Sequence, residues 1–363
     1  MELKLIDFLK NNQNWREILS KPPYCLTIKE EDDFILFKYS QVDSDFNEPI
    51  VRECRGIILD KDFNPVCVPF FKFGNYGESY CPDIDWSSAQ VQEKIDGSLI
   101  KVWFYNGEWK VSTNGTIDAY KSDIGQSIFS VIDTPYKTFG NLFDCAKTNS
   151  GLMLNQLNKD CTYMFELVSP YNKVVVPYKD IKVYHIGTRN NKTLEELNED
   201  IGVQRPKHYN LHTLEECIET ASKMPYNEEG YVVVDKNWNR VKIKSPQYVA
   251  VHHLKNNGDL NISSLIQLIR ANETEEFKIY FPEYAKFLSE LKERIEKIIS
   301  TLEAEVDCLK IKEFKTQKEF ALEVKDKPFS AYYFAWRKDP TLNAKDWFWG
   351  FDNNKIKEWL KNG

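Results

Sequence analysis

The hydrophobic period of the chain changes near residue 254, and that change constrains its fold more than any other feature. Upstream, apolar residues come in short alternating runs broken by turn residues. Ile100–Tyr105 and Trp109–Ser112 flank Asn106-Gly107, a pair suited to the positive φ of a tight hairpin turn. Arg55–Leu59 and Val66–Phe73 flank Asp60-Lys61-Asp62 in the same manner, and Tyr231–Val234 and Arg240–Ile243 read as further strands. Thr193 and Thr213 are each followed three residues later by a glutamate, Glu196 and Glu216, the capping-box pattern of a helix start. Downstream, Leu288, Leu291, Ile295, Ile298, Ile299 and Leu302 recur at three- and four-residue spacing with Glu and Lys between them, as in an amphipathic helix. Ile262–Leu268 is a shorter version, and the aromatic-rich stretch Phe329–Trp359 reads as irregular structure packed back, ending in a helix. The expected fold class is α+β, with a domain of antiparallel sheets over 1–254 followed by a mostly α-helical C-terminal domain over 255–363.

A chain of 363 residues, 42% hydrophobic and 28% charged, suffices for two folded cores. The net charge of −7 excludes a generally basic coat, so any phosphate-bearing partner must meet a local cluster of Lys and Arg. The 14% aromatic content is read first as core and only second as stacking surface. None of the eight cysteines forms a Cys-x-x-Cys pair and there are five histidines, which argues against a zinc site. The opening residues lack the apolar core of a signal peptide, and no apolar run approaches the ~20 residues that span a bilayer. The expectation is a cytoplasmic monomer with reduced thiols and no membrane partner.

Chemistry concentrates in an ordered series. Glu93-Lys94-Ile95-Asp96-Gly97-Ser98 precedes a strand, with Gly97 permitting close backbone approach. Alone, Lys-x-Asp-Gly reads more readily as a surface turn. Phe165-Glu166-Leu167-Val168 then sets a carboxylate within an apolar strand, and Glu229-Gly230-Tyr231-Val232-Val233 places another at a strand entrance. Lys242-Ile243-Lys244 puts two ammonium groups on one face of a strand, an arrangement that suits either a solvated edge or a phosphate clamp.

Taken in order, these segments resemble the covalent nucleotidyltransferase superfamily of DNA ligases, RNA ligases and capping enzymes, and within it the phage tRNA-repair RNA ligase 1 family. The resemblance extends to Glu53-Cys54-Arg55-Gly56-Ile57, Phe71-Lys72-Phe73 with Asn75, Ser169-Pro170, Asn172-Lys173-Val174-Val175 with Tyr178, and Ser245 with Tyr248. It implies a ligase adenylation domain and an ATP-dependent RNA ligase that uses Mg²⁺ or Mn²⁺ to join RNA 5′-phosphate and 3′-hydroxyl ends, with a broken tRNA stem-loop as a candidate substrate. By that resemblance Lys94 is the nucleophile that takes AMP. Arg55 and Lys72 hold the β- and γ-phosphates, Glu93 belongs to the ATP site, and Glu166 contacts the ribose. Glu229 binds the metal through water, Lys242 and Lys244 neutralise the α-phosphate, Tyr248 lies near the phosphates, and Val232 packs on the adenine with Val183–Ile186 opposite. Asn114 stands where the family often has a basic residue; it either bonds a phosphate or ribose oxygen or is an ordinary Asn-Gly turn.

Other segments attract plainer readings. Arg189 reads as an exposed arginine, His252-His253 as a surface or core pair, the Lys/Glu run 286–297 as a wet helix face, and Tyr332-Tyr333-Phe334 with Trp336 as core. The enzymatic rivals, an ATP-dependent DNA ligase or a GTP-dependent capping-type enzyme, typically carry a β-rich domain after the Lys-x-Lys strand, where this chain turns helical. A catalytically idle nucleic-acid-binding relative would be expected to have lost Lys94 or a carboxylate, and this chain retains them.

Overall fold

The computed structural model describes residues 3–124, 135–254, 262–280 and 284–362. The chain divides into two compact units, Met1–His252 and His253–Gly363. The first unit carries three antiparallel sheets. One runs β1 (Leu26–Glu31), β2 (Phe34–Tyr39), β3 (Arg55–Asp60) and β4 (Pro65–Cys67) in that order. The other two interleave along the chain through β5 (Gln90–Glu93), β6 (Ser98–Tyr105), β7 (Glu108–Thr113), β8 (Cys161–Val168), β9 (Lys182–Asn190), β10 (Glu196–Leu197), β11 (His208–Tyr209), β12 (Gly230–Val234) and β13 (Arg240–Lys244). Their orders are β10-β9-β8-β6-β7 and β11-β5-β12-β13.

The β6–β7 hairpin forms as its Asn-Gly turn requires, with φ 46° at Asn106 and 89° at Gly107. The hairpin after β3 is shorter than its sequence suggests, because β4 ends at Cys67. Beyond it the backbone bonds elsewhere: Val68 N donates to Thr162 Oγ1 at 2.9 Å and Lys72 N to the Arg52 carbonyl at 2.7 Å. Thr213 caps the helix Leu214–Ser222, its hydroxyl accepting from Glu216 N at 3.1 Å. Thr193, with the same spacing to Glu196, starts no helix. Glu196 is drawn inward instead, 2.5 Å from Arg189 and 2.6 Å from Arg240, and opens β10.

Alternation governs the third sheet. Tyr231, Val233, Val241 and Ile243 face a core shared with Cys217 and Ala221 of the helix Leu214–Ser222. Period two then sends Val232, Lys242 and Lys244 to the opposite face, with Val232 paired to Lys242 and Gly230 to Lys244. Gly230 has φ +132°, and a Cβ there would collide with the Ile243 carbonyl oxygen.

In the second unit the helices are Ile262–Arg270, Thr274–Tyr280, Ala285–Ile311, Gln317–Val324, Ser330–Lys338, Ala344–Trp349 and Asn353–Asn362. Leu288, Leu291, Ile295 and Leu302 are buried, and Ile298 and Ile299 pack beside them. The stretch 329–359 is helical rather than irregular. Tyr332, Tyr333 and Trp336 are core, and Trp347 stacks on Trp359 with ring centroids 5.5 Å apart. Aromatic packing there outweighs modest helix propensity. No helix among the described residues is long and apolar enough to cross a membrane, and all eight cysteines are free.

Arg189, Glu196 and Arg240 form a buried triad in which one carboxylate serves two guanidinium groups. Removing the shared partner leaves two buried cations uncompensated. Glu196→Ala is therefore expected to lower the unfolding free energy by about 3–5 kcal/mol, the cost of breaking a buried pair. Urea denaturation followed by circular dichroism measures it; a loss below about 1 kcal/mol would show that the triad contributes little.

Candidate active site

The Lys94 turn is fixed from several sides. Glu93 N donates to the Lys207 carbonyl at 2.7 Å and Lys94 N to the Gly230 carbonyl at 2.9 Å, which locks the end of β5 between its neighbours. Asp96 is buried. Its Oδ2 accepts from Val175 N and Val176 N at 2.8 and 2.7 Å, and its Oδ1 accepts from the Tyr248 hydroxyl at 2.8 Å. Gly97 lies so close to β8 that a Cβ would strike the Leu167 carbonyl, and its N–H donates to Glu166 Oε1 at 3.2 Å.

These constraints aim Lys94 into a cavity of about 130 Å³. Its polar lining comes from Arg55, Glu93, Lys94, Glu166, Arg240 and Lys242, while Ile95, Ile186 and Val232 supply apolar walls. Lys94 Nζ lies 2.8 Å from Glu229 Oε1, and the other oxygen of that carboxylate is buried without a hydrogen-bond partner. Arg55 Nη1 is likewise buried and unpartnered. Burial and the positive charges of Lys72, Lys244, Lys94 and Arg55 hold the Lys242 ammonium well below the usual lysine range. Burial raises the Glu229 carboxyl, opposed by Lys94 and Lys244.

Six of the residues singled out by sequence therefore share one cavity: Arg55, Glu93, Lys94, Glu166, Val232 and Lys242. Glu229 joins them through Lys94, and the Lys244 charge acts on Glu229. Lys72 lines an adjoining cavity, with its Nζ 4.6 Å from the Phe46 ring centroid and 3.4 Å from Gln41 Oε1. Like Lys72 and Lys244, two further expected nucleotide contacts, Tyr248 and Asn114, are not part of the lining. Tyr248 lies beneath the Lys94 turn, its hydroxyl donating to Asp96 and its ring stacked on His252 at 6.0 Å. Asn114 packs against Gly56, with its Oδ1 buried and unpartnered. Arg189, expected on the surface, is buried in the triad. The His253 side chain lies outside the described residues.

Sequence reasoning passed over Arg240, although period two places it on the face of Lys242 and Lys244. It also passed over Lys101, which is fully buried and donates to the Gly56 carbonyl next to Arg55. Burial brings the Lys101 ammonium down to about 8. A lone charge within Leu99-Ile100-Lys101-Val102-Trp103 was the available signal.

Glu166 has a pH signature. Burial pushes its carboxyl up to about 7 from 4.5; Lys94 and Arg55 oppose that shift, while Glu229 and Asp96 add to it. The folded protein thus binds more protons at this group than the unfolded chain between these values, so its contribution to stability falls as pH rises through that window. Glu166→Gln should remove this slope. Its stability relative to the parent is expected to rise from pH 5 to pH 7 by about 1.4 kcal/mol per pH unit at most, read from urea midpoints. A pH-independent difference would contradict the raised carboxyl.

Antiparallel sheets that converge on a lysine, two carboxylates and a group of cations, followed by helices, make an α+β fold. A model of the family described as RNA ligase matches residues 53–248, and the chain belongs to that family. It is 31% identical over 278 residues to a candidate bifunctional polynucleotide kinase/RNA ligase of Autographa californica nuclear polyhedrosis virus; the match covers 69% of this chain but only 38% of the viral protein. It is 26% identical over 382 residues to an RNA ligase of Rhodothermus phage RM378, with 85% of each chain covered. Among solved structures, a mutant Naegleria gruberi RNA ligase with ATP and Mn overlaps 46% of this chain and 52% of its own at 15% identity and a TM-score of 0.35. A candidate ATP-dependent DNA ligase from Aquifex aeolicus overlaps 77% of this chain and 74% of its own at 13% identity and a TM-score of 0.45.

Proposed function

We propose that the protein is an ATP-dependent RNA ligase in which Lys94 takes AMP from ATP, passes it to an RNA 5′-phosphate, and a 3′-hydroxyl then displaces AMP to seal the strand. The observation that carries this reading is the shared cavity. It holds one lysine paired to a buried carboxylate at 2.8 Å, beside Arg55 and Lys242, which have no carboxylate within 4 Å among the described residues. Half-buried cations without counter-ions suit an anionic ligand.

In the first step Lys94 Nζ forms a bond to the α-phosphorus as the bond to pyrophosphate breaks. The Glu229 carboxylate is the group within reach of the lysine proton. Lys242, with Lys244 behind it, offsets charge growing on the α-phosphate. Arg55 and Lys72 orient the departing pyrophosphate, Glu166 accepts from the ribose, and Val232 and Ile186 enclose the adenine. Tyr248 positions Asp96, and through it the lysine turn. The unpartnered Oε2 of Glu229 suits a hydrated Mg²⁺ or Mn²⁺. Among the described residues no three carboxylate, histidine or cysteine groups are placed together to hold such an ion. When bound, the ion neutralises phosphate charge.

Incubation with labelled ATP, followed by mass mapping, should find AMP on Lys94. Lys94→Ala should abolish the adduct yet still seal RNA that already carries a 5′-adenylate. Lys242→Ala should slow every phosphate step by about 10²–10³-fold. Lys72→Ala should harm reaction with ATP and spare sealing of pre-adenylated RNA. An adduct retained by Lys94→Ala, or equal loss of both activities in a folded Lys72→Ala protein, would refute the corresponding assignment.

The C-terminal unit, helical over its described residues, is proposed to select RNA shape, such as a broken tRNA stem-loop. Removing the chain from residue 258 onward should leave a soluble monomer that adenylates Lys94 but has lost its preference for a nicked stem-loop over unstructured RNA. An unchanged preference would refute this role.

A further inference from the structure

The cavity that holds Lys72 adjoins the Lys94 cavity and shares Phe70, Phe73 and Arg240 with it. Its volume is about 270 Å³. Its cations are Arg52, Lys72, Arg189 and Arg240, and its one acidic lining residue, Glu196, is engaged by Arg189 and Arg240. Neither Arg52 nor Lys72 has a carboxylate within 4 Å among the described residues. In a chain of net charge −7, this is a local concentration of positive charge beside aromatic rings.

Trp238 stands at the rim, 36% exposed, in the turn between β12 and β13. Its φ of +65° is left-handed, a conformation that costs a bulky residue about 1–3 kcal/mol, although asparagines flank it on both sides. The turn is not loose. Asp235 Oδ1 accepts from Asn237 N at 2.8 Å and Asn239 N at 3.0 Å, Asp235 Oδ2 accepts from Asp85 N at 3.1 Å, and Trp238 N donates to the Asp235 carbonyl at 3.0 Å. The backbone of this turn is therefore held in place, with the partly exposed Trp238 indole lining the cavity and the Arg240 guanidinium 5.6 Å from its ring.

The chemistry of AMP transfer says what should come to this place. A 5′-phosphate oxygen forms a bond to the α-phosphorus while the Lys94 Nζ–phosphorus bond breaks, and the departing lysine takes up a proton. The entering oxygen must lie in line with the leaving nitrogen, on the side from which pyrophosphate departed. We propose that this second cavity seats the 5′-phosphorylated end of single-stranded RNA, with Arg52 against its phosphate and Trp238 stacked on a base near that end. The inference rests on the ligase reading given above. Cations that track phosphate, together with an exposed aromatic ring that accepts any base, are the general means of holding a single strand.

The test uses the full chain without ATP. Fluorescence anisotropy measures binding of a 3′-labelled, 5′-phosphorylated RNA oligonucleotide to the parent, Trp238→Ala and Trp238→Phe. Trp238→Ala should weaken RNA binding about tenfold and Trp238→Phe should restore most of it, since stacking needs a ring and not an indole N–H. Lys94 adenylation from ATP and the melting temperature should match the parent in both variants. An oligonucleotide with a 5′-hydroxyl should bind less tightly than its phosphorylated form. RNA affinity of Trp238→Ala within twofold of the parent would overturn the stacking role, as would a matching fall in ATP adenylation or in melting temperature. Equal affinity for the two 5′ ends would overturn the seating of the phosphate. A parent that binds RNA through Trp238 but never forms the Lys94 adduct would sink the ligase mechanism and leave this site standing.

Discussion

The site depends first on one buried carboxylate. Asp96 gathers two backbone amides from Val175 and Val176 and a phenol from Tyr248, segments 79, 80 and 152 residues away along the chain. A carboxylate taken out of water tolerates burial only when its lone pairs are occupied, so these partners are obligatory. The result is a Lys94 turn whose backbone cannot drift relative to β8 or to the third sheet. Lys94 itself is long and flexible; what directs it is the rigidity of the two residues after it and the Glu229 carboxylate in front.

Around that anchor the protein concentrates charge where water is scarce. Arg55 and Lys242 crowd the same small region as Glu166, and neither cation has a carboxylate within 4 Å among the described residues. Such crowding costs stability, and the Arg189–Glu196–Arg240 triad and the capped Glu53 show how neighbouring charges are stabilised instead. Glu53, adjacent to the first sheet, accepts from Lys4 N and Leu5 N at 3.1 and 2.8 Å and so satisfies the amides that open the helix Lys4–Asn11. Charges with full partners support the scaffold; charges without them mark the cavity.

The sequence disclosed whatever rests on local rules. Asn106-Gly107 gave the hairpin, period two gave the face shared by Val232, Lys242 and Lys244, and heptad-like spacing gave the long helix Ala285–Ile311. It misled where a long-range partner overrides a local pattern. Thr193 and Glu196 have the spacing of a helix cap, yet two arginines pull Glu196 into a strand. Glu53 and the amides it caps lie 48 and 49 residues apart, a distance over which no motif carries information. The aromatic tail shows the converse: mutual packing of Phe329, Trp347 and Trp359 accompanies helices that composition alone did not suggest.

The Lys94 cavity has walls from all three sheets: Arg55 belongs to the first, Glu166 and Ile186 to the second, and Val232, Arg240 and Lys242 to the third. A molecule lodged there acts as a keystone, because it touches three bodies that otherwise meet through side chains and loops. Occupancy and mechanical cohesion are then the same quantity viewed twice. A ligand at a hundred times its Kd that binds only the folded chain deepens the folded state by about 2.7 kcal/mol. Release of the ligand withdraws that contribution, so the empty cavity leaves the fold the less stable of the two states.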